Sequence, residues 1–293
     1  MEHLRQPPRL AVTVPQWYGL EPRQSLAVAV NADRSGFEEI WIGQMASFDA
    51  FALAAAAARE TRHASLWVGP LALAVRDPVS LALGISSISH LGGRPAHLAL
   101  GSSTRTIVRD WHGRKWGGNV LLATAAIERL RPLLAGERSP DGFRLRFPTP
   151  GTQIGLAAFG DEMLKVASKL ADRLVLNLLT PGQVAEFRAR TRLPITIWVP
   201  AALDPGEEAD LQVLRELKVY LAAPAYAEMF RRAGLSDPAE IAAQVSAMGS
   251  LEQVRERIAE YHSAGATTVA LVPVTAEDPG GKRLLAALGG RRT

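Results

Sequence analysis

A chain without a single cysteine has neither thiolate nucleophiles nor thiolate metal ligands. Its chemistry must come from hydroxyls, carboxylates, imidazoles and backbone amides. It has six histidines, and no two have the H-x-x-x-H spacing that sets both on one helix face, so no metal is expected. His97 lies inside a strand-like segment and reads as a core residue, while His3, His63, His90 and His262 fall at termini or helix ends and read as surface. His112 sits in a loop beside Trp111. That loop opens with the hydroxyls of Ser102, Ser103 and Thr104 and adds Arg105 and Arg109, groups that can hold an anion or simply cap a solvated turn. Ala157-Ala158-Phe159-Gly160 leads from an apolar segment into a helical one. A helix N-terminus offers unpaired N–H groups to a phosphate, and Gly160 permits close approach. Asp161 argues the other way, because as an N-cap its carboxylate would take those groups itself. Trp17, Tyr18, Trp111 and Trp116 follow apolar segments, where they can wall a substrate slot. Trp41, Trp67 and Trp198 lie within such segments and read as core.

These groups need a scaffold. Short, nearly continuous apolar runs occur at Leu10–Val14, Glu39–Ile42, Leu66–Leu71, His97–Gly101, Gln153–Ala157, Arg173–Asn177, Ile195–Val199 and Thr268–Val272. Such runs suit strands buried on both faces of a parallel sheet. Helical patterns stand between them at Phe48–Thr61, Pro78–Leu91, Asn119–Leu134 with Asn119 as N-cap, Asp161–Ala171, from Thr180-Pro181 onward, and Leu251–Ala264 ending at Gly265. Eight strands alternating with helices predict an α/β fold, a (β/α)8 TIM barrel. An open doubly wound sheet is the alternative, but no G-x-G-x-x-G follows the first strand. The intervals 101–153 and 199–268 are too long for one helix each and read as insertions over the C-terminal mouth. The second is helical over Glu207–Arg232 and Pro238–Met248; Gly136–Gly151 reads as irregular and exposed. No linker or repeat divides residues 1–293, so one domain is expected.

The 293 residues are 47% hydrophobic and carry a formal charge of +4, with no concentrated basic stripe. Nucleic-acid binding is therefore not expected. The longest apolar run, Phe51–Ala58, is far short of the ~20 residues that cross a bilayer. With no leader pattern and no cysteine, a soluble cytoplasmic protein without membrane contact is expected.

Three stretches carry a family likeness: LWVGPLALAVRDPVSLALGISSISHLGGRPAHLALGSS (66–103), GSSTRTIVRDWHGRKW (101–116) and IGLAAFGDEMLKVASKLADRLVLNLLTP (154–181). In order and spacing they resemble the luciferase-like monooxygenase superfamily, and within it the oxidoreductases that use coenzyme F420, a deazaflavin. The resemblance implies a cofactor at the C-terminal mouth of the barrel: F420, with FMN as the alternative. It implies that a bulged third strand around Pro70, Leu71 and Ala72, often with a cis peptide between non-proline residues, presses on the ring. Ser102 and Ser103 would meet the cofactor's polar parts, and Ala158, Phe159, Gly160 and Asp161 its phosphate. The reaction implied is hydride exchange with a small organic substrate, in a chain that dimerises through barrel-side helices.

Two positions depart from the pattern. Several members carry an acidic residue and a His after the second strand, where this chain has Gly43-Gln44, and Thr104 stands where some have Glu. Both argue against sugar-phosphate dehydrogenase activity. An amide does not titrate near neutral pH, so the proton donor falls to His112, with Asp49 and Asp110 behind it. Gln44 and His112 are the candidate catalytic positions. The rival readings are an FMN-dependent monooxygenase and a catalytically silent cofactor-binding protein, the second favoured by Gln44.

Overall fold

A computed structural model describes residues 8–17 and 19–290; His3 and Tyr18 lie outside them. The strands are β1 (Arg9–Val14), β2 (Glu39–Ile42), β3 (Ser65–Ala72), β4 (Ala96–Gly101), β5 (Ile154–Ala157), β6 (Arg173–Asn177), β7 (Ile195–Leu203), β8 (Ala247–Gly249) and β9 (Thr268–Pro273). All the pairings between them are parallel. β1 to β7 pair in sequence, β7 pairs with β9, and β9 returns to β1 in the register Leu10↔Val269, which closes an eight-stranded barrel. The fold is the expected (β/α)8 barrel.

Strand alternation divides the apolar residues into two cores. Val12, Ile40, Ile42, Leu66, Val68, Leu98, Leu156, Leu174 and Ile197 pack outward on the helices. Ala11, Trp41, Trp67, Ala99, Val175, Trp198 and Ala270 fill the barrel interior. Local signals fix the helix ends. Thr180 and Gln183 form a capping box that spans Pro181, and Gly265 takes φ +102° just past the helix Leu251–Ser263.

Four local expectations need correction. Asn119 is the first helical residue rather than the cap; Gly118, left-handed at φ 68°, precedes it with no side-chain cap. The stretch Glu207–Arg232 is two helices, Glu207–Leu221 and Pro224–Arg232, because Pro224 forces Ala223 out of the helical region. The helix from Pro238 stops at Val245, and Ala247–Gly249 is the short strand β8, paired with the far end of β7. Three residues are too few for periodicity to show. Gly136–Gly151 lies at the opposite end from the mouth: Phe147 O accepts from Ser86 Oγ, and the adjoining Thr152 Oγ1 donates to Ala96 O, where β4 begins. The helix Pro22–Arg34, with its Glu21–Gln24 capping box, was not anticipated. Among the described residues, no helix is long and apolar enough to cross a membrane.

Candidate functional site at the barrel mouth

Inward positions at the C-terminal strand ends carry small side chains: Thr13, Gly43, Pro70, Gly101, Ala157 and Pro200. The layer beneath them holds Trp41, Trp67 and Trp198, with Trp41 stacked on Trp67 at 4.5 Å and set edge-on to Trp198. The result is a broad floor at the mouth. At β3 the register slips between Val68 and Leu71, and the Gly69–Pro70 peptide is cis. Gly69 sits at φ +122°, and any Cβ there would lie 2.1 Å from Ala99 O, so only glycine fits. A Cβ on Gly101 would meet those of Pro70 and Ala157 at 3.3 and 3.4 Å.

The helix Glu207–Leu221 covers one side of this floor and bounds a small cavity of about 30 Å³. Thr13, Gln16, Trp17, Asn177 and Trp198 line it from the strand ends, and Val213, Glu216, Leu217 and Tyr220 from the helix. Three polar atoms of this lining, Thr13 Oγ1, Gln16 Oε1 and Trp198 Nε1, are buried without a hydrogen-bond partner. Buried polar groups are ordinarily satisfied, so these three atoms, in residues that line the cavity but themselves closed off from solvent, are exceptions to that rule. Trp17 Nε1, in contrast, donates to Pro273 O at 3.1 Å. Burial and then the charge of Glu216 push the Tyr220 phenol up to about 12, against a hydrogen bond from Asn177. Burial raises Tyr226 as well, also against Asn177.

The predicted residues divide between this site and elsewhere. Trp17 walls the cavity, and so does Trp198, expected only as core. Trp111 is 49% exposed. His112 is exposed at the end of a π-helix, Thr106–Trp111, and does not line the cavity. Asp110 pairs with Arg109. Asp49 caps the helix Ala50–Glu60 through Ala52 N and pairs with Arg76. Burial pushes the Asp49 carboxyl up, but the Ala52 N–H and Arg76 outweigh it and hold the group below the usual carboxylate range. Gln44 Oε1 accepts from Arg76 Nη2 at 2.9 Å and from Ala50 N, so its amide anchors the β2 and β3 loops. Pro70 and Ala72 are half-buried at the floor, while the Leu71 side chain packs in the outer core. Ser102 is half-buried; Ser103 is exposed at φ 61°.

At the presumed anion site the competition from Asp161 does not arise. Gly160 is the N-cap residue, in extended backbone (φ −90°, ψ 157°), and Asp161 is the first helical residue, paired with Arg190. No side chain caps that helix, which leaves its first N–H groups open, but the carboxylates of Asp161 and Glu162 in the first turn still repel an anion there. Ala158 is buried in the outer core, and Phe159 packs edge-on against Phe187 and Tyr226. Sequence reasoning missed Arg76, Glu216 and Tyr220. Glu216 did leave a signal, since it lies on the buried stripe Ala209, Val213, Glu216, Leu217 where an apolar residue belongs. Among the described residues, no group of three or more His, Asp or Glu is placed to hold a metal ion.

The luciferase-like monooxygenase family model matches residues 7–268. The chain belongs to this family. A Mycobacterium tuberculosis relative named as a coenzyme F420-dependent oxidoreductase is 21% identical over 174 residues, 59% of this chain. The match spans half the length of that relative. Two solved structures share the fold. An F420-dependent secondary alcohol dehydrogenase in complex with an F420–acetone adduct superposes with TM-score 0.78, at 14% identity, over 97% of this chain and 98% of that one. The oxygenating constituent of a Pseudomonas putida 3,6-diketocamphane monooxygenase, in complex with FMN, gives 0.72 at 17% identity over 96% of each.

Proposed function

We propose that this enzyme binds coenzyme F420 over the barrel mouth and exchanges a hydride with a small organic substrate. The observation that carries the reading is the floor of small residues at the strand ends, bulged at β3 and bordered by the cavity under the helix Glu207–Leu221. That arrangement fits a planar ring with a compact substrate next to it. Backbone at Pro70, Leu71 and Ala72 would support the ring, Ser102 and Ser103 its polar parts, and the N–H groups from Ala158 to Asp161 its phosphate. A bound deazaflavin supplies or accepts two electrons as a hydride. The chain's own residues hold the substrate against it and exclude water, with Trp17 and the helix Glu207–Leu221 as walls. The likeness of residues 66–103 and 154–181 and the F420-named relative favour F420; the FMN-bound structural neighbour supports FMN as the second reading. We place the enzyme in the cytoplasm as a homodimer. Exposed Leu83 and Leu91 on one barrel-side helix and Leu121 and Leu122 on the next support the dimer.

Titration of the purified protein with each cofactor, followed by its fluorescence, tests this reading. F420 is expected to bind at least about tenfold more tightly than FMN; equal or tighter FMN binding would replace it with the monooxygenase reading. Gly160 has extended backbone and open space around it, so Gly160→Val leaves the fold intact. If the phosphate sits there, F420 affinity falls by about tenfold or more.

A further inference from the structure

We infer that Arg76 is a positioning residue for the cofactor: its guanidinium fixes the turn that follows β3 and so sets Ala72 against the ring, a role that rests on the cofactor reading above. The chain folds back on itself as soon as it leaves the strand. Val75 N and Arg76 N both donate to Ala72 O, at 3.0 and 3.3 Å, and Leu73 N donates to Gly101 O at 3.0 Å. Ala72 is half-buried at the floor, so whatever holds this turn also holds the surface offered there. On its far side the turn is fastened by Asp77, whose carboxylate accepts from Val79 N and Ser80 N at the start of the helix Pro78–Gly92. On its near side the fastening is Arg76.

The guanidinium reaches across to the start of the helix Ala50–Glu60. Its Nη2 donates to Gln44 Oε1 at 2.9 Å and to Asp49 Oδ2, and its central carbon lies 4.9 Å from the centre of the Phe51 ring. These partners are themselves held. Gln44 Oε1 also accepts from Ala50 N, and Asp49 Oδ1 accepts from Ala52 N. Phe51 is wedged against the neighbouring helix, where a Cβ on Gly84 would come within 2.5 Å of its ring. A planar guanidinium suits this seat because it hydrogen-bonds in its plane and stacks by its face at once, whereas a lysine ammonium has no face. The pairing also accounts for Gln44. An amide oxygen there gives Arg76 a second acceptor without a second negative charge, so the position that departs from the family pattern serves as a brace. With Arg76 22% and Asp49 48% exposed, the ion pair adds little to global stability. What it removes is the freedom of a short loop, and a loop ordered in advance spares the cofactor that ordering on binding.

The test reads the turn first without cofactor and then with it. In amide hydrogen exchange of the cofactor-free full chain, Leu73, Val75 and position 76 should exchange about tenfold faster or more in Arg76→Met than in the parent, with the helices Ala50–Glu60 and Pro78–Gly92 unchanged. In titrations followed by cofactor fluorescence, Arg76→Met should weaken F420 by about tenfold or more while the urea midpoint stays at the parent's. Millimolar methylguanidinium should restore most of that affinity to Arg76→Met and none to Gly160→Val. In a double-mutant cycle with Ala72→Gly, the two losses should fall well short of adding, because both act at one place. Arg76→Lys keeps the charge without the stacking face and should lose about threefold in F420 affinity. If Arg76→Met does not fold, Arg76→Lys carries the exchange and binding comparisons. The proposal is overturned if Arg76→Met lowers the urea midpoint but leaves F420 affinity at the parent's, or if the losses from Arg76→Met and Ala72→Gly simply add. Failure of F420 to bind the parent would sink the cofactor reading, whereas a turn that exchanges in the variants as it does in the parent would sink the role of Arg76 whether F420 binds or not.

Discussion

Two buried polar regions lie at opposite ends of the barrel interior, with the tryptophan layer between them. At the strand starts, Arg173 makes a two-pronged pair with Glu39 at 2.6 and 3.1 Å and donates to Thr196 Oγ1. Its guanidinium also lies 4.6 Å from the Trp67 ring centroid. His97 Nδ1 accepts from Gln153 N at 3.1 Å, which fixes the neutral tautomer with its proton on Nε2. Apart from the Thr268 hydroxyl, the polar groups of this end have partners inside the protein. At the strand ends the rule reverses, and three polar atoms around one cavity have none. A satisfied polar layer stabilises a single arrangement of the barrel, whereas an unsatisfied one forgoes that stabilisation. The same division is the one expected of this fold, with stability at the N-terminal face and chemistry at the C-terminal face.

Breaking the satisfied end should have the largest effect. Both side chains of the Glu39–Arg173 pair are under 10% exposed. Glu39→Gln leaves a buried guanidinium without its counter-charge, which costs about 3–5 kcal/mol. Urea unfolding should record that loss, with cofactor affinity of the remaining folded protein near the parent's. A loss below about 1 kcal/mol would mean that Arg173 is solvated in a way this geometry does not allow.

The same end should also set the acid limb of stability. Burial pushes the His97 imidazole down to about 4, with the Glu39 carboxylate holding it up in part and Arg173 pressing it further down. Between pH 4 and 6.5 the unfolded chain binds a proton at this histidine and the folded chain does not. The stability gained by keeping His97 neutral is therefore full above about pH 6.5 and drains as the pH falls toward 4, by about 3 kcal/mol in all. His97→Asn, whose amide oxygen can still accept from Gln153 N, should flatten the unfolding free energy over that window. An unchanged slope would assign the acid sensitivity to other groups.

The sequence disclosed the scaffold better than the site, and particular residues show why. β2 and β6 lie at their expected residues because their apolar runs are bounded by turn signals on both sides. β8 stayed hidden because three residues carry no period. Strand ends could be read off, so Trp17 was among the positions to watch. The cavity's other wall is a helix more than 190 residues along the chain from Thr13, and only the fold brings the two together. Trp198 looked like core because its ring is core; the free N–H at its edge shows only in three dimensions. Gln44 drew notice as a departure from a family pattern and Asp49 as a reserve proton donor, and both are tied to Arg76, inside the stretch 66–103 that carries the resemblance.

The finest test applies one substitution at both ends of the barrel. Thr13 and Thr196 are each at most 1% exposed, on inward layers above and below the tryptophans, and valine has the shape of either without the hydroxyl. Thr196 Oγ1 accepts from Arg173 at 3.2 Å, so Thr196→Val removes a charge-assisted hydrogen bond and should cost about 1–2 kcal/mol. Thr13 Oγ1 has no partner to lose. Thr13→Val removes a buried group that was stripped of water without compensation, so stability should hold or rise by up to about 1 kcal/mol. Its cost should appear instead in ligand binding, as a three- to tenfold weaker affinity for F420, on the order of 1 kcal/mol. Paired urea titrations and one binding series decide the matter. Equal destabilisation by the two variants would mean that Thr13 is structural, and the contrast between the two ends of the barrel would then rest on Gln16 and Trp198 alone.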